Sequence, residues 1–197
     1  GQYGDLQLGD LEKSERWISR GQMVLDNAPD SARAASTVKT MKARHIIESK
    51  RWQLQPFSDD LDATELLALG LSAAQLDDLA LANQVVARLG IMLAASPDNG
   101  QLKLIHHEIA ALTLHKESMQ QAMVDVTKRQ QAIELMQEAI TLRESQRAPN
   151  GAATPLKPVH ELAAEMMLEM GMHDEAAELF GTSLLRLKNR PWSLLGA

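Results

Sequence analysis

Apolar side chains recur at three- and four-residue spacing along nearly the whole chain, and no segment alternates for long between apolar and polar. That periodicity belongs to helices with one buried stripe and not to strands. It predicts eight helices, at about 10–27, 31–50, 62–75, 77–94, 101–124, 127–146, 158–170 and 173–188, with a ninth beginning near Trp192. In the sixth, Ala132, Leu135, Met136, Ala139 and Ile140 share a stripe while Glu134, Glu138 and Glu144 lie largely off it. Proline-containing breaks separate the segments at Pro29-Asp30, Gln55-Pro56, Pro97 to Gly100, Pro149 to Gly151 and Pro158. The chain reads as all-α.

The stretches LQLGDLEKSERWI from Leu6, AAQLDDLALANQVV from Ala73 and LEMGMHDEAAELF from Leu168 share one layout. A helix ends, a turn residue follows, a small residue comes five places later and a larger apolar residue four places after that. The triplets are Gly9, Ser14, Ile18; Asp77, Ala82, Val86; and Gly171, Ala176, Phe180, with a weaker copy at Thr127, Ala132, Met136. The small residue marks the closest approach of two antiparallel helices. The turn residue favours glycine because a helix often ends in the left-handed conformation.

Ser14 and Ala82 are 68 residues apart, two steps of the roughly 34-residue helix–turn–helix unit. At these positions the chain resembles the tetratricopeptide repeat family. Leu66, Leu69-Gly70, Ala82 and Val86 follow that family's signature, Met167, Gly171, Ala176 and Phe180 carry its later half, and Trp192, Leu195 and Gly196 its opening. His160 and Ala163-Ala164 stand where the family has Trp and Leu-Gly, and Arg51–Asp62, with Pro56, cannot hold a full second helix. The Ala82 to Ala132 step is too long for one unit, so the helix from Gln101 is extended or carries an insertion. The segment from Pro149 to Ala197 also resembles the C-terminal end of some larger bacterial repeat proteins. The resemblance implies antiparallel helix pairs wound into a right-handed superhelix, one domain over 1–197 with irregular connections at 51–62 and 147–158. It also implies that both ends are cut from a longer array.

Hydrophobic residues make up 45% of the chain and aromatics 3%, a mixture that suits close-packed helices more than sheets. No apolar run approaches the roughly 18–20 residues that span a bilayer, so the chain reads as soluble with no membrane insertion. A net charge of −6 disfavours nucleic acid as a partner. With no cysteine, thiolate catalysis and Cys-ligated zinc are excluded.

Candidate chemistry is sparse. GLSAA from Gly70 is the nearest approach to a nucleophile elbow, but it lacks the second glycine. His106-His107-Glu108 is not the zinc-protease spacing, and adjacent helical residues point about 100° apart. His45 with Glu48, and Glu169 with His173, lack the paired order that carboxylate-bridged metal sites need. Lys39, Lys42, Arg44, Lys50 and Arg51 spread around a helix and do not form one basic stripe. No catalytic residue, metal ligand or cofactor is therefore assigned.

Glu161, Glu165 and Glu169 recur every four residues and share a helix face. The family resemblance places that face on the inner, concave side, beside Leu67, Leu71 and Ala74. The resulting expectation is a non-enzymatic scaffold that binds a basic or amphipathic protein segment through Leu67, Leu71, Glu161, Glu165 and Glu169. A plain solvated glutamate row is the alternative for the last three. The rival expectations are a small-molecule- or metal-binding helical domain attached to an enzyme, drawing on His106 and His107, and a structural or self-associating segment of a larger repeat protein. The loop Arg147–Pro158 reads as a linker or an ordered flap, and Met166, Met167, Met170 and Met172 as gap-filling packing.

Overall fold

The computed structural model describes residues 1–120, 123–146, 156–188 and 190–197. Among them are ten helices: α1 (Gln2–Gln7), α2 (Leu11–Asn27), α3 (Ala32–Ser49), α4 (Ala63–Gln75), α5 (Leu79–Ala95), α6 (Gly100–Met119), α7 (Val126–Ser145), α8 (Val159–Glu169), α9 (His173–Arg186) and α10 (Pro191–Gly196). No strand occurs among the described residues. The predicted boundaries hold to within a few residues, with two differences. The helix expected over 101–124 ends at Met119, and the first residues form a short helix of their own. Side-chain caps fix most starts. Asp10, Ser31, Asp78, Asn99 and Asp125 each accept from a main-chain N–H of the first turn, and Asp62 and Glu65 form a reciprocal capping box.

Each helix packs on the next, and substantial contacts also join α1 with α3, α4 with α6, α6 with α8 and α8 with α10. The helices touching across one intervening element thus belong to a single layer. Burial separates the layers chemically. Leu66 through Ala74 of α4 are all buried, as is most of α6 and α8, whereas α5, α7 and α9 bury single stripes and α2 buries only Ser14. The first layer therefore needs apolar residues on every side, which is why α4 reads LLALGLSAA.

The shared sequence layout has a common geometry. Gly9, Asp77 and Gly171 sit at φ +74°, +58° and +76°, the left-handed turn that closes a helix end. Ser14, Ala82, Ala132 and Ala176 are exposed by no more than 1%. The weaker copy matches in Ala132 and Met136, both fully buried, but not at its turn residue, because Thr127 lies inside α7. A Cβ on Gly70 would come within 2.8 Å of Ile109 Cγ2, so α4 and α6 meet at van der Waals limits.

One connection departs from the hairpin pattern. From α3 to α4 the chain runs through an extended strap, residues 51–62, with no second helix. Lys50 ends α3 at φ +52°. Trp52, Phe57 and Leu61 pack against the core, the Gln53 N–H donates to Ser72 Oγ at 3.3 Å, and Arg88 Nη2 donates to the Asp59 carbonyl at 2.6 Å. Twelve extended residues reach up to about 40 Å, ample to return along α4. No helix among the described residues is long and apolar enough to cross a membrane.

Candidate functional site

The glutamate row of α8 lies where its spacing predicts, but each carboxylate is already engaged. Glu161 has no exposed surface. Arg190 Nε and Nη2 donate to its two oxygens, both at 2.9 Å, and Ser193 Oγ donates to Oε2 at 2.7 Å. The opposite side of the same guanidinium grips Glu48 of α3, with Nη1 to Oε1 at 2.9 Å and Nη2 to Oε2 at 3.2 Å. Lys157 Nζ lies 3.1 Å from Glu161 and 2.7 Å from Glu165, whose other oxygen faces Lys50 at 3.0 Å. Lys50 also sits 4.1 Å from the Trp192 ring centroid, and Trp192 Nε1 donates to the Glu48 carbonyl at 2.9 Å. Three carboxylates (Glu48, Glu161, Glu165) thus meet three cations (Lys50, Lys157, Arg190) in one cluster.

This cluster closes the first layer on itself. The contacts α3–α4–α6–α8 return to α3 through side chains 142 residues apart in sequence. Burial alone would raise the Glu161 pKa, but the Arg190 hydrogen bonds and the Lys157 and Arg190 charges hold it at about 2. Glu169 is likewise held at about 2, against the pull of burial, by His115 and by Lys116 at 2.7 Å. Leu67 and Leu71 are 3% and 1% exposed, inside the core. The open inner face expected from Leu67, Leu71 and Glu161 is therefore corrected. Those three are enclosed, Leu67 and Leu71 because α4 packs on α3, α5 and α6, and Glu161 because Arg190 and Ser193 close over it, and only Glu165 and Glu169 retain access. Long-range pairing of this kind leaves no local signal. The hint in the sequence was the excess of charged residues on helices whose neighbours are nearly all apolar.

The histidines disperse. His45 Nδ1 meets Ser14 Oγ at 2.9 Å, His115 Nε2 meets Glu169 at 3.1 Å, His160 Nε2 meets Glu144 at 3.1 Å and His107 Nδ1 faces Glu138 at 3.3 Å. Burial depresses the pKa of His45, His106, His107 and His160, favouring neutral rings. Among the described residues no three His, Asp or Glu side chains converge on a position that could hold a metal ion. Ser72 is fully buried and accepts the strap's N–H. The cations around α3 are also taken up locally. Lys39 lies 2.6 Å from Glu65, Arg51 3.6 Å from Glu15, and Arg44 over the Tyr3 ring. Most of the Arg147–Pro158 loop, residues 147–155, lies outside the described residues.

Glu108 stands apart. It is 2% exposed, its Oε1 has no hydrogen-bond partner among the described residues, and burial raises its pKa to about 8 against the weaker opposing charges of Lys157 and Arg143. At neutral pH it is a neutral acid in the core.

Accessible concavity lies elsewhere. A cavity of about 110 Å³ opens where α3, α4 and the strap meet. Its floor is Ala43 and Ile46 of α3 with Ala68 and Leu69 of α4, and Leu54 of the strap forms one wall. Lys42 stands at the rim, its Nζ donating to Gln22 Oε1 at 3.1 Å. A second groove, about 400 Å³, runs between Lys103 and His107 of α6 and Glu138 and Leu142 of α7. The hydroxyls on its α7 wall are occupied within the helix, Thr141 on Gln137 and Ser145 on Leu142. Comparison with known proteins finds no matching family model, no similar curated protein and no similar solved structure.

Proposed function

We propose that the chain is a non-catalytic helical-repeat scaffold, built as the tetratricopeptide family is built, that binds a segment of a partner protein. The observation that carries this reading is the alternation of a densely buried first layer with second helices that bury a single stripe. Elements arranged so present long, side-chain-defined surfaces, and recognition is their common use. The side chains with chemical potential, Glu161, Lys157, Arg190 and the paired histidines, are bonded to one another and serve the fold. Docking then shifts from the enclosed inner row to the side of α3 and α4 that lacks a second helix.

Photo-crosslinking in the cells of origin tests this, with benzoylphenylalanine at Leu54 beside the cleft and at Gln84 on the outer side of α5. The reading expects a discrete protein adduct from Leu54 and none from Gln84. Absence of a discrete adduct there and at further exposed positions over the whole surface would overturn it.

A second reading, self-association, is favoured by Leu185, Leu194 and Leu195, which are 82%, 57% and 78% exposed on the packed helices α9 and α10. Light scattering decides it: a dimer lost on Leu195→Glu supports that reading, and a monomer at high concentration removes it.

A further inference from the structure

The cleft beside the strap has a defined shape and a defined charge. Lys42, Ala43 and Ile46 follow helical spacing on one face of α3, and Ala68 and Leu69 supply the facing surface of α4. In the other hairpins a second helix covers the corresponding first helix, whereas here an extended strap passes and Leu54 is left 48% exposed. Among the described residues, the main-chain groups of Leu54 and Gln55 make no hydrogen bond. The cavity's volume, about 110 Å³, matches one aliphatic side chain with its attached polar group.

Charge selects the occupant. Lys39 at the same rim is matched by Glu65 at 2.6 Å and Asp62 at 3.2 Å. Lys42 has only the neutral Gln22 amide among the described residues. Glu65 also lines the cleft but is taken by Lys39, so in a protein of net charge −6 Lys42 is the rim's cation without an ion-pair partner among the described residues.

We infer that this cleft receives the C-terminal residue of a partner chain, with an aliphatic side chain on the Ala43–Ile46–Ala68–Leu69 floor and the terminal carboxylate on Lys42. The inference rests on the scaffold reading and names its partner's chemistry. A chain end fits better than a passing segment because the volume accommodates one residue and the single unmatched charge lies at its mouth. The amide before that residue reaches the free main-chain groups of Leu54 and Gln55, a short form of strand addition.

N-acetyl-leucine is the minimal probe, and N-acetyl-leucinamide and N-acetyl-alanine are its controls. Methyl NMR of the full chain should show saturable shifts at Ile46, Leu54 and Leu69 with a millimolar Kd. Removing the carboxylate or the isobutyl group should weaken binding about tenfold. Lys42→Glu should weaken it about as much without unfolding the protein, since Lys42 is exposed and bonded only to a surface glutamine, and Lys42→Met should do so to a similar degree. The inference is overturned if leucinamide binds as well as the acid, if Lys42→Glu leaves binding unchanged, or if no saturable shift occurs at these methyls. Loss of this site with a protein adduct still forming elsewhere on the surface would leave the scaffold reading intact. Loss of both would end it.

Discussion

Glu108→Gln offers a quantitative test of the interior. In the folded chain the Glu108 carboxyl is fully enclosed and titrates at about 8, while the unfolded chain titrates near its ordinary value of 4.5. Below the unfolded value both states are protonated and pH has no effect through this group. Between the two values the folded state stays neutral and the unfolded state ionises, so unfolding releases a proton and stability falls as pH rises. The slope is roughly 1.4 kcal/mol per pH unit. Above the folded value both states are ionised and the slope vanishes.

From near pH 5 to near pH 8 the native protein should therefore lose about 4 kcal/mol through this residue alone. Gln keeps the shape and polarity of the neutral acid without the titration. Urea unfolding of both proteins across that range, taken as a difference, cancels the histidines and other common groups. Glu161 and Glu169 titrate in the opposite sense: their stabilisation is present above pH 4.5 and is lost as pH falls toward about 2. The two proteins should be close in stability near pH 5, with the variant ahead by about 4 kcal/mol near pH 8. A difference that does not change with pH would refute the enclosed, unpaired state of Glu108.

Two further substitutions probe the packing and the turns. Gly70→Ala drives a methyl to 2.8 Å from Ile109 and should destabilise by roughly 1–3 kcal/mol, with partial recovery when Ile109→Val is added, read by thermal unfolding. Asp77→Gly relieves a non-glycine residue at φ +58° and should stabilise by up to about 1 kcal/mol. The same change at Asp78, which caps α5 through Leu81 N–H, should not.

The helices were legible because their signals are local. Cap residues, proline breaks and the three-four stripe fall within a few residues of each boundary, and the left-handed turns at Gly9, Asp77 and Gly171 follow from the small-residue spacing. The absent second helix was also legible, since Arg51–Asp62 holds a proline and no stripe. The state of the glutamate row was not. Glu161 on a lone helix reads as solvent-facing, and only the approach of Arg190 and Glu48 from distant parts of the chain turns that face inward. Leu67 and Leu71 were ambiguous for the same reason: α4 is apolar all round, so periodicity cannot say which side meets α3 and which meets α6. The cleft leaves no mark in the sequence because it is a space between three segments.

The central claim is that the first layer closes through Arg190, so that the inner carboxylates belong to the fold. A double-mutant cycle on Glu48→Gln and Arg190→Gln tests it most directly, because the pair is buried, bidentate and 142 residues apart in sequence. Arg190→Gln strands the buried Glu48 carboxylate and should cost about 3–5 kcal/mol, whereas Glu48→Gln leaves Arg190 still held by Glu161 and should cost less. The closed layer predicts that the double variant is more stable than additivity by about 2–3 kcal/mol. Losses that add to within about 0.5 kcal/mol would mean the two residues do not meet in solution, and the closed layer would be wrong.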